Sequence, residues 1–166
     1  MLKIAKNEGV ICNFRPIEYA SLDSSFGDFV FYISDRVNSE HILWAPPTSP
    51  LLDSDEIIKI INNYKISLEK GYDSIITVTE LRRHLLDMNG PLNFRFQKSN
   101  RNPEKLPILY EFTNGLTIAP KDSMLNWRHN WGPMPYKYVI DEFKSIDICN
   151  EIDYQFARFL YNKNMK

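Results

Sequence analysis

The sequence predicts an α/β domain with a mostly parallel sheet. Apolar segments of strand length alternate with segments of helical spacing, which is typical of right-handed parallel βαβ units. Residues 74–79 (SIITVT) are β-branched and apolar, as expected of a strand covered on both faces. The chain has 166 residues and no internal repeat or low-complexity stretch, so residues 1–166 are interpreted as one domain.

The first half of the chain predicts three helices and three strands. The helices are expected within residues 1–8, 24–37 and 53–68, and the strands at residues 10–13, 41–45 and 74–79. Asp53 is expected to cap the clearest helix, with Glu56 completing a capping box. The buried stripe of that helix is predicted to be Ile57, Ile58, Ile61 and Tyr64.

The second half is predicted to be less regular. Short strand candidates lie at residues 93–97, 109–112 and 116–119, and we interpret residues 85–140 or so as an excursion from the sheet. Residues 145–149 are predicted to form a last buried strand. Asn150 is then expected to cap a closing helix that carries four apolar residues: Ile152, Phe156, Phe159 and Leu160.

Composition argues against several classes of protein. The formal net charge of −1 gives no electrostatic reason to expect a nucleic-acid or membrane partner. The N-terminus has no long apolar core of the kind that a signal peptide carries, and the apolar runs are far shorter than a bilayer span. Cys12 and Cys149 are too few for a disulfide framework, so we expect free thiols in a cytoplasmic protein.

Three polar segments follow the predicted strands, where ligands bind in open α/β sheets. They are residues 46–50, 80–84 and 147–150, which together offer hydroxyls, guanidinium groups and a carboxylate. That set suits a phosphorylated or acidic ligand. A structural role stays open for each: a rigid loop for residues 46–50, a solvated pair for Arg82 and Arg83, and a helix cap for Asp147.

The histidines and tryptophans carry less functional information. His41 and His129 have no second ligand at metal spacing, so packing or surface roles are expected. Trp127 and Trp131 are expected to pack in a core or a subunit interface. No Ser-His-Asp or Cys-His arrangement can be assigned from the sequence.

Four blocks of sequence resemble one enzyme family. In order, they read APPTSPLLDSDEI, YDSIITVTELRRH, YEFTNGLTIAPKD and KSIDICNEIDYQFA. Their order and spacing are similar to those of the acylneuraminate cytidylyltransferases, the CMP-sialic acid synthetases and their relatives. The likeness runs from about Ile4 to Leu160. It implies a Rossmann-like nucleotidyltransferase fold of the nucleotide-diphospho-sugar transferase type, and a homodimer formed through the excursion.

The resemblance also implies a reaction and the residues that serve it. Such enzymes transfer CMP from CTP to an acidic eight- or nine-carbon sugar, with Mg²⁺, and release pyrophosphate. Thr48 and Ser49 would line the nucleotide and sugar cleft, and Asn114 and Gly115 match an Asn-Gly turn before a core strand. Asp147 matches the first carboxylate of a metal motif and would be catalytic. The candidates for gripping the sugar carboxylate are four arginines: Arg82, Arg83, Arg95 and Arg101.

The sequence departs from the family pattern at several points. The first βα unit, with its glycine- and lysine-rich triphosphate loop, has no counterpart, and we expect the sheet to lack it. Pro46 stands where relatives often have Gln, and Cys149 replaces the second metal carboxylate, although a thiol is a poor ligand for Mg²⁺. Three hypotheses stay open: an active cytidylyltransferase completed by a separately encoded segment, an inactive remnant or binding subunit, and an unrelated α/β ligand-binding or scaffold domain.

Overall fold

A computed structural model describes residues 2–21, 23–95 and 102–164 of the chain. The helices are α1 (Leu2–Asn7), α2 (Phe26–Arg36), α3 (Ser54–Glu69), α4 (Lys121–Trp127) and α5 (Glu151–Asn164). The strands are β1 (His41–Trp44), β2 (Ser74–Leu81), β3 (Leu86–Asp87), β4 (Gly90–Pro91), β5 (Leu109–Pro120) and β6 (Pro135–Val139). Short 3-10 turns lie at Ile17–Tyr19, Pro103–Lys105 and Glu142–Ser145.

The central sheet has the strand order β1-β5-β2-β6. Strand β5 pairs antiparallel with both β1 and β2, whereas β2 and β6 pair in parallel. Three of these strands therefore run in one direction, and β5 runs against them. The predicted α/β class and the shared direction of most strands are confirmed. The strand pairs are nevertheless both parallel and antiparallel. A purely parallel βαβ layout would place β1 beside β2, but here β5 lies between them.

The structure differs from the predicted excursion over residues 85–140. The candidates at residues 109–112 and 116–119 are the two ends of one strand, β5, in the middle of the sheet. Strand β6 follows within the same segment and pairs with β2. Among the described residues of this segment, the hairpin of β3 and β4, helix α4 and the loops beside them lie outside the central sheet. Of the strand predicted at residues 93–97, residues 93–95 have no regular structure, and residues 96 and 97 lie outside the described residues.

Two more strand predictions are wrong. Residues 10–13 have no regular structure, and Val10 and Ile11 are exposed, because no described strand pairs with this short apolar run. Residues 146–149 are also without regular structure and follow the turn Glu142–Ser145. The backbone N–H of Ile148 donates to Thr48 O at 2.8 Å, so this bond goes to a loop rather than to a strand.

Core residues cover both faces of the sheet. Because Ile118 and Ala119 are successive residues of β5, their side chains point to opposite faces. On the face of Ile118, helix α3 packs, and the buried cluster is Ile60, Tyr64, Ile75, Leu116 and Ile118. On the face of Ala119, helices α2 and α4 pack, and the buried cluster is Val30, Ile42, Ala119 and Met124.

The helix predictions hold better at the caps than along the faces. Asp53 accepts a hydrogen bond from Glu56 N at 2.8 Å, which confirms it as the N-cap of α3. The predicted stripe of α3 is wrong at Ile58, which is exposed, while the unpredicted Ile60 is fully buried. Asn150 caps α5, because its side-chain oxygen accepts hydrogen bonds from the backbone N–H groups of Ile152 and Asp153. Three of the four apolar residues that this helix carries are exposed: Ile152, Phe156 and Phe159.

Candidate functional site

The loop after β1 is held against the segment that precedes α5. Three prolines stiffen residues 46–50, and Asp53 then starts helix α3. Thr48 O accepts the hydrogen bond from Ile148 N, which fixes the loop beside Asp147. The hydroxyl of Ser49 is buried and has no hydrogen-bond partner among the described residues. The structure therefore places the Thr48–Ser49 loop and Asp147, which belong to two separate sequence blocks, in one region.

A β-bulge brings Asn114 to the same region. The register of β5 against β2 shifts between Ile76 and Val78, so residues 113–116 leave the regular ladder. Asn114 has a φ of 54°, a left-handed conformation that asparagine tolerates better than most residues. Its Nδ2 lies 3.4 Å from Asp147 Oδ2 and donates to it. The predicted Asn-Gly turn is thus a bulge inside a strand, and it aims an amide at the carboxylate.

Buried hydroxyls hold this bulge in place. Thr77 Oγ1 accepts a hydrogen bond from Leu116 N at 3.0 Å and lies 2.9 Å from Thr113 Oγ1. Thr113 Oγ1 also lies 3.1 Å from Thr77 O. A Cβ on Gly115 would lie 3.1 Å from Thr77 Oγ1, so glycine leaves room for the hydroxyl cluster. Gly115 is therefore a packing residue behind the site, and Asn114 is the member of the pair that faces it.

Asp147 is only partly satisfied by its neighbours. Its Oδ2 accepts the Asn114 amide, and Cys149 Sγ, at 3.9 Å, donates weakly to the same atom. Its Oδ1 is buried and has no partner among the described residues. Buried polar atoms are nearly always hydrogen-bonded in folded proteins. An unpaired carboxylate oxygen and the unpaired Ser49 hydroxyl in one region are what a polar ligand or a cation would satisfy.

Two adjoining cavities open beside these residues, and together we call them the cleft. One has a volume of about 360 Å³ and is lined by residues that include Asn114, Asp147 and Asp153. The other has a volume of about 430 Å³ and is lined by residues that include Arg83 and Glu142. Both share Thr79, Glu111, Ser145, Ile146 and Phe156. The cleft therefore follows the carboxyl end of β2, where the sequence predicted ligand binding.

The four candidate arginines are not equivalent. Arg83 lines the cleft. Arg82 does not line it, and its guanidinium lies 3.7 Å from Glu80 and 3.4 Å from the backbone oxygen of Glu104. Arg95 is exposed and is not among the residues that line either cavity of the cleft, and Arg101 lies outside the described residues. Arg83 is thus the described arginine best placed to meet a ligand in the cleft.

The cleft carries mostly negative charge. Its ionisable lining consists of Glu80, Arg83, Glu111, Glu142, Asp147 and Asp153. The Asp153 carboxylate accepts the backbone N–H groups of Cys149 and Asn150, so it serves as the reciprocal cap of α5. A polyanionic ligand would therefore meet several carboxylates and one guanidinium, which favours its entry together with cations.

An ion-pair network that the sequence reasoning missed lies behind the cleft. Lys144 Nζ lies 2.8 Å from both Asp53 Oδ2 and Glu56 Oε2. The Tyr138 hydroxyl donates to Glu56 Oε1 at 2.8 Å. These hydrogen bonds from Lys144 lower the pKa of both carboxyl groups, and the carboxylates raise the pKa of Lys144. Burial, with the bond to Glu56, raises the pKa of Tyr138 to about 12.

The histidines and tryptophans have packing contacts. His41 Nδ1 lies 2.8 Å from the Tyr64 hydroxyl, and the His129 ring packs against Phe26 and Trp131. Trp127 packs against the cluster of α2 and α4. Within residues 2–21, 23–95 and 102–164, no group of three or more His, Cys, Asp or Glu side chains is arranged to hold a metal ion.

The residues present nevertheless fit a cation that arrives with a nucleotide. Mg²⁺ in such sites often takes one or two protein carboxylates and completes its shell with phosphate oxygens and water. Asp147 Oδ1 offers one such oxygen, whereas Cys149 hydrogen-bonds to the other oxygen and offers a thiol that Mg²⁺ binds poorly. Of the two motif positions, Asp147 and Cys149, one therefore offers a carboxylate, and we call this arrangement a one-carboxylate site.

In the described part of the chain, no helix has the length and apolarity needed to cross a bilayer.

Comparisons with known proteins concern the sequence and the fold of the chain. No family model matches the chain. The N-acylneuraminate cytidylyltransferase of Escherichia coli is 29% identical over 169 residues, which are 96% of this chain and 39% of that protein. The chain thus spans about two fifths of the length of this relative. The similarity confirms the resemblance that the four sequence blocks predicted.

A solved structure confirms the predicted Rossmann-like nucleotidyltransferase fold. The 4-diphosphocytidyl-2C-methyl-D-erythritol synthase of Anaerococcus prevotii superimposes with a TM-score of 0.62, over 97% of this chain and 77% of that one. Its sequence identity is 14%, so this likeness concerns the fold alone.

Proposed function

We propose that the chain, a homologue of the acylneuraminate cytidylyltransferases, binds CTP in the cleft and serves the transfer of CMP to an acidic sugar. The observation that carries the proposal is the meeting of three separate sequence blocks: Asn114 and Asp147 contact each other in the lining of the cleft, and the loop of Thr48 and Ser49 is bonded to Ile148 beside them. Two of these residues, Ser49 and Asp147, keep a buried polar atom unpaired. A polar ligand bound in this region would supply the missing hydrogen-bond partners.

The residues of the cleft have distinct roles in this proposal. Thr48 and Ser49 offer hydroxyls on a stiff loop to the nucleotide and the sugar. Asn114 holds one oxygen of Asp147, which leaves the other free for a cation. Mg²⁺, when bound, would neutralise phosphate charge that the carboxylate-rich lining would otherwise repel. Asp147 is catalytic in this sense.

The reaction is an in-line substitution at phosphorus. The sugar hydroxyl oxygen forms a bond to the α-phosphorus of CTP and loses its proton to water, the bond from that phosphorus to the bridging oxygen breaks, and pyrophosphate leaves. Arg83 is the described guanidinium that can pair with the sugar carboxylate in a bidentate manner. The chain's contribution is alignment of the two substrates and fixed charge around the phosphates.

A second candidate is a subunit that binds the nucleotide without turnover. Cys149 stands at the second position of the metal motif, and the neighbouring Asp153 carboxylate is occupied by two backbone amides. Both amides bond to Asp153 Oδ2, whereas Asp147 has a buried oxygen, Oδ1, without a partner among the described residues. Homodimer formation also belongs to the proposal, and the exposed Leu86, Met88 and Leu92 around the β3–β4 hairpin are apolar residues that such a contact would cover.

The proposal is tested by titrating the chain with CTP by calorimetry, with and without Mg²⁺. We expect Mg²⁺-dependent binding that Asp147→Asn weakens by about tenfold or more, because the free oxygen loses its charge. Asp35→Asn, on the exposed face of α2, is the matched control and should bind as the wild type does. Absence of CTP binding at millimolar concentration, or equal losses in both variants, would overturn the proposal.

Pyrophosphate release separates the two candidates. If the wild type binds CTP with Mg²⁺ and releases pyrophosphate when N-acetylneuraminate is added, it is an active transferase. If CTP binds and no pyrophosphate appears with this or related acidic sugars, the chain is a binding subunit.

A further inference from the structure

One ammonium group joins the segment that carries Asp147 to the helix that follows the Thr48–Ser49 loop. Lys144 belongs to the 3-10 turn Glu142–Ser145, three residues before Asp147. Its partners, Asp53 and Glu56, are the N-cap and a first-turn residue of α3, directly after the loop that carries Thr48 and Ser49. The contact thus links the residues just before Asp147 to the residues just after the Thr48–Ser49 loop.

The network is shielded from solvent at its centre. The Lys144 and Glu56 side chains are 12% and 11% exposed, and the Tyr138 hydroxyl occupies the remaining Glu56 oxygen. Phe143 places its ring 5.9 Å from the ammonium. A buried charge that loses its partner destabilises the fold. A shift of the turn would separate Lys144 from Glu56 and is therefore unfavourable.

The segment that carries Asp147 needs such ties because it has no regular structure. Residues 146–149 are bounded by Lys144 on one side and by the Asp153 cap of α5 on the other. Between them, the bond from Ile148 N to Thr48 O joins the segment to the loop. Lys144 is the tie that reaches helix α3, so it sets where this segment lies relative to Ser49.

We propose that Lys144 is a positioning residue: it acts through Asp53 and Glu56 to hold Asp147 at the distance from the Thr48–Ser49 loop that a bound nucleotide requires. The inference deepens the proposed function, since it assigns a residue outside the cleft to the alignment of the site within it. Lys144 does not line either cavity of the cleft and touches no reacting atom.

Amide hydrogen exchange of the full chain tests this link without any ligand. In Lys144→Met, we expect the amides of Ile148 and Cys149 to exchange about tenfold faster relative to those of the core strand residues Ile76 and Leu116. A lysine that merely stabilised the fold would speed all four amides by a common factor. Lys59→Met is the matched control, because Lys59 also pairs with Glu56, at 3.5 Å, but lies on the same helix and bridges no two segments.

A second measurement uses CTP with Mn²⁺ as the probe. We expect its dissociation constant to rise about tenfold in Lys144→Met and to stay at the wild-type value in Lys59→Met. If Lys144→Met does not fold, Asp53→Asn replaces it, because Asn caps helices as well as Asp does and removes only one charge from the network.

The two proposals fail in different ways. If the wild type binds no CTP, the proposed function is overturned, while the exchange data still decide the role of Lys144. If Ile148 keeps its protection relative to the core in both Lys144→Met and Asp53→Asn, the positioning role is overturned whatever the nucleotide does.

Discussion

Replacing Thr77 by Val should destabilise the fold, because the Thr77 hydroxyl supports the bulge that presents Asn114. Thr77 is 0% exposed, and its Oγ1 accepts the Leu116 N–H at 3.0 Å and contacts the Thr113 hydroxyl. In Thr77→Val, the buried N–H loses its acceptor, which costs about 1–3 kcal/mol. The added methyl group returns about 0.8 kcal/mol. We therefore expect the free energy of unfolding to fall by about 1 kcal/mol.

Thr117 provides a control of the same residue type in the same sheet. It is 1% exposed, but its Oγ1 has no hydrogen-bond partner among the described residues. Thr117→Val removes an unsatisfied hydroxyl, so the free energy of unfolding should stay unchanged or rise by about 1 kcal/mol. Urea unfolding with an unchanged slope measures both changes. Equal shifts in the two variants, or a loss only in Thr117→Val, would refute the hydrogen-bonding scheme of the bulge.

Two further predictions concern charge. Because Asp53 and Glu56 have pKa values lowered from their usual 3.8 and 4.5, their stabilising effect is complete above about pH 5 and is lost as the pH falls below it. The free energy of unfolding, followed from about pH 6 to pH 3, should therefore decline more steeply in the wild type than in Lys144→Met. Cys149→Asp should tighten Mn²⁺ binding, measured by water-proton relaxation, because a second carboxylate would face Asp147; unchanged affinity would contradict the one-carboxylate site.

Local signals predicted the parts of the fold that depend on near neighbours in sequence. The Asp53 cap and the buried strand β2 follow from residue types a few positions apart. The sequence predicts two short strands in place of β5, because Thr113-Asn114-Gly115 has the composition of a turn. Whether such a sequence forms a turn or a bulge depends on Thr77, 36 residues away, whose hydroxyl closes the bulge. Sequence alone does not reveal that contact.

The same limit applies to the site. The sequence blocks that resemble the family predicted three site residues: Ser49, Asn114 and Asp147. In the structure, Asn114 contacts Asp147, and the loop of Ser49 is bonded to the segment that carries Asp147. The pair of Lys144 and Glu56 was missed because its members are 88 residues apart and each also suits a surface position. Arg82 and Arg83 are neighbours in one loop, and only the second lines the cleft. The sequence does not specify which of two adjacent side chains faces the cleft.

The central claim, that CTP binds in the cleft, is tested most directly by mapping the nucleotide site. Backbone amide chemical shifts of the ¹⁵N-labelled chain, followed during titration with CTP and Mg²⁺, report which residues meet the ligand. We expect the largest changes at Thr48, Ser49, Asn114 and Asp147. Changes confined to another cavity, such as the one lined by Asp28 and Arg128 on the side of α2, would contradict it.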